Sequence, residues 1–178
     1  IFVRIISGSH KGKKILAPKN LPVRPTTDFA KEGLFNILSN RIEVEGAKVL
    51  DLCAGTGNLS FEFASRGAAT ILSVDEHPGC IKFINKTARD LGFANITTLR
   101  LELFKFIKKL SGQYNIIFAD PPYGIHDTEK LPDLILEKEV LIENGYLIIE
   151  HSAEYNFENH PRFSFSRRYG NVNFTFFE

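Results

Sequence analysis

The chain has 178 residues, of which 43% are hydrophobic and 24% charged, and its formal net charge at pH 7 is +1. This length suits one domain with a sizeable core, and the composition is ordinary for a soluble globular protein. No apolar run approaches the roughly 20 residues of a membrane span, and the first residues lack the layout of a secretory signal. Two cysteines make no disulfide framework, so we expect a cytoplasmic protein, and a monomer.

The first 24 residues form a basic segment that contains no acidic residue. Six cations give it a charge of +6: Arg4, Lys11, Lys13, Lys14, Lys19 and Arg24. Residues 4–16 have the pattern of a small extended or hairpin segment. A segregated basic surface can hold nucleic-acid phosphates, but a solvated edge without a partner has the same composition. Charge alone therefore leaves both interpretations open.

Helix and strand patterns alternate through the rest of the chain. Thr26, Thr27 and Asp28 can cap a helix whose apolar residues recur at helical spacing. Apolar runs, separated by helical patterns, then predict five strands at residues 49–52, 70–74, 96–101, 114–119 and 146–149. Repeated strand–helix units imply a parallel sheet with helices on both faces. Near the end, residues 163–167 and 172–176 flank a turn at Gly170-Asn171, which predicts an antiparallel hairpin.

We therefore predict one α/β domain over residues 1–178. A basic hairpin and a helix form its N-terminal extension at residues 1–40, and residues 47–178 form the core that is expected to hold any catalytic site. Ligands of open α/β sheets bind outside the carboxyl ends of the strands. Each predicted core strand ends at or next to an acid, which indicates a polar crevice for a partly cationic ligand: Asp51, Asp75, Glu102, Asp120 and Glu150.

The first core strand leads into a glycine loop, defined here as Asp51-Leu52-Cys53-Ala54-Gly55-Thr56-Gly57. Gly55 and Gly57 allow a tight turn close to a ligand, and Asp75 can accept both hydroxyls of a ribose. A dinucleotide site usually has a third glycine where this chain has Ser60, and Asp51 would repel a pyrophosphate. S-adenosylmethionine has no phosphate, and a carboxylate favours its ammonium and sulfonium groups, so we predict this cofactor.

Further cofactor contacts are expected along the same rim. Glu102 lies where a rim residue can meet the adenine amine, but it can also be a first-turn acid favoured by the helix dipole. We expect the remaining contacts from residues next to these acids and within the glycine loop: Ala54, Thr56, Glu76 and Leu103.

The tetrapeptide Asp120-Pro121-Pro122-Tyr123, called DPPY below, follows the fourth core strand. Two prolines fix the backbone and remove two N–H donors, so the loop is rigid. The Asp120 carboxylate and the Pro121 carbonyl can accept the hydrogens of a base amine, which frees the nitrogen lone pair, while Tyr123 stacks on the base. We therefore predict transfer of a methyl group to an exocyclic amine, by positioning and electrostatics. The alternative is a rigid turn with a buried tyrosine.

The histidines and cysteines show no metal-ligand spacing, so no metal is predicted. Cys53 has no basic neighbour that would activate it, which favours a packed thiol. His151 is interpreted as a hydrogen-bonded structural residue.

The glycine loop and DPPY together resemble a class I amino-methyltransferase. More selective resemblance lies in Arg4-Ile5-Ile6-Ser7-Gly8 and Arg24-Pro25-Thr26-Thr27-Asp28, followed by Glu32, Leu34, Phe35 and Asn36. These runs, with Glu150-His151 and the Tyr169-Gly170 hairpin, are similar to the RsmD-like family of bacterial small-subunit ribosomal RNA guanine-N(2) methyltransferases. The similarity covers essentially the whole chain.

This resemblance implies a Rossmann-like fold with a seven-stranded, mostly parallel sheet and a C-terminal antiparallel hairpin. It implies S-adenosylmethionine as the donor, held by the glycine loop and Asp75, and the 2-amino group of a guanine in small-subunit ribosomal RNA as the acceptor at DPPY. The partner would be this RNA or an assembling ribosomal particle. The residues expected to contact RNA or border the active site are Arg4, Lys11, Lys13, Lys14, Arg24, Thr26, Thr27, Arg167 and Arg168.

Three other functions remain open at this point. DPPY recognises an amine rather than one base, so adenine or cytosine in DNA or another RNA is an alternative substrate, although 178 residues leave no separate target-recognition segment. A glutamine amide of a protein is another, which the basic segment disfavours. The chain can also be a non-catalytic RNA-binding factor of ribosome assembly, against which the intact Asp120 and glycine loop argue.

Overall fold

A computed structural model of the chain describes residues 2–178. The N-terminal extension consists of β1 (Phe2–Arg4), β2 (Lys14–Leu16) and α1 (Asp28–Ser39). The core follows as β3 (Lys48–Leu52), α2 (Asn58–Ser65), β4 (Thr70–Asp75), α3 (Pro78–Leu91), β5 (Ile96–Arg100), α4 (Leu103–Lys109), β6 (Tyr114–Ala119), a 3-10 turn (Thr128–Lys130), α5 (Leu131–Leu136), β7 (Leu141–His151), β8 (Phe163–Tyr169) and β9 (Val172–Phe177).

Seven strands form one sheet in the order β5-β4-β3-β6-β7-β9-β8. The first five strands of this order are parallel, while β9 pairs antiparallel with both β7 and β8. The prediction of a mostly parallel seven-stranded sheet with a C-terminal hairpin is therefore confirmed. Apolar side chains form a buried layer on each face of the sheet. None of the helices within residues 2–178 has the length and apolar character needed to cross a membrane.

The start of β7 differs from the sequence expectation. We predicted this strand at residues 146–149, but it already begins at Leu141. Its register against β6 shifts between Tyr114 and Ile116, where Asn144 has a positive φ of 63°. Glu143 and Asn144 are exposed at this irregularity, so the alternation of apolar and polar residues is interrupted and the early part of the strand has no detectable period.

The N-terminal extension is fixed to the core at the end of α2. The carboxylate of Glu62 accepts the backbone N–H groups of Ile6 and Ser7 at 2.9 and 3.1 Å. Glu62 is fully buried, and its charge is balanced by Lys31 of α1 at 3.4 Å and by Arg66 at 2.9 Å. Burial lowers the pKa of Lys31, although Glu62 opposes this. A buried carboxylate therefore joins the extension, α1 and α2 in one network.

Candidate active site

The acids at the carboxyl ends of the central strands meet in one cleft. Its narrower part, about 320 Å³, is lined by the glycine loop, residues 22–26 and DPPY. Its wider part, about 490 Å³, extends over β4 and the start of α4. The two parts share Pro22, Val23, Cys53, Asp75 and Pro122, so they form a continuous groove. The volumes are those of ordinary small-molecule sites.

Asp51 lies at the floor of the narrower part and is only 2% exposed. The Ser60 hydroxyl donates to its carboxylate at 2.5 Å and contacts the Ser73 hydroxyl at 2.6 Å. Burial raises the pKa of Asp51 to about 7, an effect that the Ser60 hydrogen bond opposes and the charge of Asp75 increases. A cationic ligand next to Asp51 would favour its ionised form.

Asp75 organises the glycine loop. One carboxylate oxygen accepts the Gly55 N–H and the other accepts the His77 N–H, each at 2.8 Å. Gly57 has a φ of 78°, and a Cβ there would lie 2.9 Å from the Ile84 side chain, so a larger residue would strain the loop. Each Asp75 oxygen keeps a further lone pair that can accept a ligand hydroxyl.

The other residues predicted for the cofactor line the same groove. Ala54 and Thr56 line the narrower part, and Glu76, Glu102 and Leu103 line the wider part. The Glu102 carboxylate accepts the backbone N–H groups of Phe104 and Lys105, both at 2.9 Å. Glu102 therefore acts as the N-cap of α4, which agrees with the first-turn interpretation rather than with a free adenine contact.

DPPY lies where the two parts of the groove and a third, smaller pocket meet. The Asp120 N–H donates to the Leu52 carbonyl at 3.2 Å, which fixes the loop to β3. Burial raises the pKa of Asp120 well above its usual range, and the charges of Glu150 and Asp51 add to this. Tyr123 is 74% exposed, so the alternative of a buried tyrosine in a structural turn is wrong.

Glu150 is a site residue that sequence reasoning noted on the rim but did not assign to the site. It is 7% exposed and lines the small pocket next to DPPY. Ala119 and Ile149 are register partners, so Asp120 and Glu150 occupy equivalent positions on neighbouring strands. The Thr26 hydroxyl donates to Glu150 at 3.1 Å, and burial raises the pKa of Glu150 to about 7. Proximity to Asp120 becomes visible only once the register is known.

The residues predicted to contact RNA fall into two groups by position. Lys11, Lys13 and Lys14 are exposed around the hairpin, but Arg4 pairs with Asp28 at 2.9 Å and with Glu32 at 3.4 Å. These ion pairs are solvent-exposed, so phosphate can compete with them.

The other group borders the cleft. Arg24 and Thr26 line its narrower part, whereas the Thr27 hydroxyl caps α1 by accepting the Ala30 N–H. Thr27 therefore has a structural role instead of bordering the cleft.

Arg167 and Arg168 lie on the outermost strand of the sheet. Arg168 is the partner of Asn173 on β9, and Asn173 is in turn the partner of His151 at the end of β7. Both arginines are exposed and lie on the rim of the sheet that also carries Glu150, two strands away. Neighbouring strands are about 4.8 Å apart, so the distance along the sheet is about 10 Å.

The remaining polar residues of the site agree with the structural interpretations. Burial raises the pKa of the Cys53 thiol well above its usual range, with Asp120 and Asp75 adding to the effect, which disfavours the nucleophilic thiolate. The His151 ring contacts the Thr175 hydroxyl at 2.6 Å and the Ser152 carbonyl at 2.8 Å. Residues 2–178 contain no group of three potential metal ligands.

Comparisons with known proteins define the class. The family model described as conserved hypothetical protein 95 matches residues 3–178. Ribosomal RNA small subunit methyltransferase D of Buchnera aphidicola (strain APS) is 36% identical over 156 residues, 85% of this chain and 79% of the relative. The Escherichia coli protein of the same name is 30% identical, over 85% and 76% of the two chains. The solved yhhF structure from Escherichia coli has a TM-score of 0.85, 26% identity and coverage of 99% and 97%.

The sheet order, the acidic groove and these similarities together define a class I methyltransferase that uses S-adenosylmethionine. Within this class, the chain belongs to the RsmD family.

Proposed function

We propose that this protein transfers a methyl group from S-adenosylmethionine to the exocyclic 2-amino group of a guanine in small-subunit ribosomal RNA. The observation that carries this proposal is the geometry of DPPY: the Asp120 carboxyl lies at the junction of the groove, and the Tyr123 ring is exposed beside it. The names of the relatives support the ribosomal substrate, and the basic surfaces near the groove support a nucleic acid.

The groove fits the cofactor in charge and shape. Its narrower part contains the carboxyl groups of Asp51, Asp75 and Asp120 and a single guanidinium, that of Arg24, among its described lining residues. This excess of acids suits a ligand with ammonium and sulfonium groups and disfavours a pyrophosphate. Asp51 would hold the amino-acid end, and Asp75, Glu76 and Leu103 would line the ribose and adenine region.

The chain contributes binding and proton acceptance to the reaction. When bound, S-adenosylmethionine supplies an electrophilic methyl group, whose bonding electron pair stays with the departing sulphur. Asp120 and the Pro121 carbonyl accept the two amine hydrogens, which directs the nitrogen lone pair at the methyl group. The positive charge of the cofactor and these N–H donors favour ionised Asp120, which then takes up the proton that the methylated nitrogen loses. Tyr123 stacks on the base and holds it in line.

Contacts outside the groove would hold the RNA. Arg24 lies at the groove, Lys11, Lys13 and Lys14 extend the basic surface over the hairpin, and Arg167 and Arg168 extend it along the rim. Cationic side chains at the groove, along the rim and over the hairpin suit a structured RNA whose target base is turned out. We infer that an assembling ribosomal particle, rather than free RNA, presents this shape.

Transfer of radiolabelled methyl groups to small ribosomal subunits that lack the modification tests the proposal. We expect N2-methylguanosine in the nuclease digest. Asp120→Ala should abolish transfer while cofactor binding persists, and Asp90→Ala, at an exposed position on α3, should leave transfer unchanged. Methyladenosine or methylcytosine in the digest would show that the substrate base is not guanine. If no methyl group is incorporated although the cofactor is bound, the protein would instead be a binding factor without methyltransferase activity. Equal rates on protein-free RNA would overturn the particle as substrate.

A further inference from the structure

Glu150 and Asp120 form a pair of acids with unused hydrogen-bonding capacity. They occupy adjacent positions at the carboxyl ends of β7 and β6. Within residues 2–178, the Asp120 carboxyl accepts no hydrogen bond, and Glu150 accepts one, from Thr26 at 3.1 Å. The unpaired oxygens still reach solvent, because no buried side-chain oxygen within residues 2–178 lacks a hydrogen-bond partner, and a ligand that fills the pocket would cover them. Two acids with free lone pairs at one pocket therefore indicate a ligand that brings several donors.

Among residues 2–178, no lysine or arginine lines the small pocket beside Glu150. The small pocket beside it is lined by DPPY, Thr128, His151, Ser152 and Tyr155. The two ring nitrogens of His151 already contact Thr175 and Ser152, and burial lowers its pKa. Lys31 pairs with Glu62 and donates to the side-chain oxygen of Asn58, so its charge belongs to the network that joins the N-terminal extension, α1 and α2. A ligand with N–H donors would supply the hydrogen bonds that the two acids lack.

Base chemistry distinguishes guanine at such a pair of acids. The Watson–Crick edge of guanine presents two adjacent donors, the N1–H and the 2-amino group. Adenine and cytosine each present an amino group next to a ring nitrogen with a lone pair, which a carboxylate repels. The positive charge of the bound cofactor and the guanine N1–H both favour the ionised form of Glu150, which only accepts hydrogen bonds and cannot adapt to that lone pair. One acid next to the amine-binding acid is therefore enough to reject both bases.

We propose that Glu150 selects guanine by accepting its N1–H while Asp120 accepts from the 2-amino group. This inference rests on the proposed function, because it assumes that the amine bound at DPPY belongs to a base. Thr26 orients Glu150, because its hydroxyl holds one carboxylate oxygen while its own carbonyl accepts from the Asn58 side chain at 3.0 Å. Thr26 is thus a positioning residue, and the other Glu150 oxygen stays available to the base.

A base analogue removes this contact. 2-Aminopurine keeps the 2-amino group but has a lone pair at N1 instead of a hydrogen, and it also lacks the O6 carbonyl, so the change in preference caused by the Glu150 variant assigns the effect to N1. The nucleotide that the wild-type protein methylates is first mapped by mass spectrometry, and particles are then assembled with guanosine or 2-aminopurine riboside at that position. We expect wild-type kcat/KM to favour guanosine by roughly 5- to 150-fold, since a buried acceptor left without its partner costs about 1–3 kcal/mol and each 1.36 kcal/mol is tenfold.

Glu150→Gln tests the residue itself. The amide is isosteric, still accepts from Thr26, and can donate to the N1 lone pair, so the preference should fall at least about tenfold through gain on 2-aminopurine and loss on guanosine. Thr26→Val should lower the preference less, because the carboxylate remains. Glu143→Gln is the matched control, since Glu143 is exposed at the opposite end of the same strand, and its preference should equal that of the wild type.

Competition of the two particles in one reaction gives the preference even when absolute rates are low. An unchanged preference in folded Glu150→Gln, or loss of transfer to both particles by a folded variant that binds cofactor, would overturn the inference. Equal wild-type rates on both particles would overturn it without any variant. Wild-type methylation of adenine or cytosine would refute the proposed function together with the inference, whereas the outcomes above overturn the inference alone, so the two failures are distinguishable.

Discussion

Replacing Asp51 with asparagine should stabilise the protein without cofactor while weakening cofactor binding. Asp51 is buried, and its pKa is raised from 3.8 to about 7, chiefly by burial. Above pH 7, Asp51 is ionised in both states, but its charge is less well solvated in the folded state, which lowers the free energy of unfolding. A shift of about three units at 1.36 kcal/mol each corresponds to about 4 kcal/mol. Asparagine removes this charge and can still accept from Ser60, so we expect up to about 4 kcal/mol of added stability at pH 8.

The size of this effect changes measurably with pH. Below pH 4, Asp51 is protonated in both folded and unfolded states, so the variant should gain almost nothing. Between pH 4 and 7 only the unfolded state releases the proton, so wild-type stability falls as the pH rises and the gain of the variant grows. Urea unfolding followed by circular dichroism, at pH 4 and pH 8, gives both values. An equal gain at the two pH values, or no gain at pH 8, would refute the reasoning.

Three further changes test other parts of the structure. Lys31→Met should lower the free energy of unfolding by about 3 kcal/mol in urea, because it leaves the buried Glu62 with one cation fewer; a loss under about 1 kcal/mol would contradict this. Tyr123→Ala should reduce the rate of methyl transfer roughly 10–100-fold, because stacking of a base on an aromatic ring contributes about 1–3 kcal/mol. Tyr123→Phe retains the ring and should retain the rate. Replacing the three hairpin lysines, Lys11, Lys13 and Lys14, with alanine should reduce the slope of log binding constant against log salt concentration by about 2 for RNA, without changing cofactor affinity. An unchanged slope would place the RNA elsewhere.

The features that could be predicted from the sequence are those with a local signal, such as periodic apolar residues and turn residues. Periodic apolar residues indicated the alternating core strands and helices, and Gly170-Asn171 marked the turn between β8 and β9. The glycine loop and DPPY were placed in one groove because parallel strands end on one rim, and the structure places them there. These arguments need only local patterns and one rule of topology.

Features that depend on long-range contacts could not be predicted. Glu62 and Lys31 lie on two different helices with ordinary helical patterns, and nothing in either segment indicates a fully buried ion pair. The role of Glu102 could not be predicted either. An acid at this position can cap the helix or contact adenine, and only the direction of its side chain in the structure distinguishes the two roles. Glu150 became a site residue only through its register with β6.

Because the N-terminal extension is attached to α2, one part of the hairpin cannot accept larger side chains while another part can. A side chain at Gly8 would place its Cβ 1.9 Å from the Ser65 carbonyl oxygen, whereas no atom of residues 2–178 lies within 4 Å of a Cβ at Gly12. The hairpin tip is therefore free to change its charge and length. Only a few residues away, the same hairpin is hydrogen-bonded to the helix that begins at the glycine loop, so variation can accumulate at the tip without disturbing that loop.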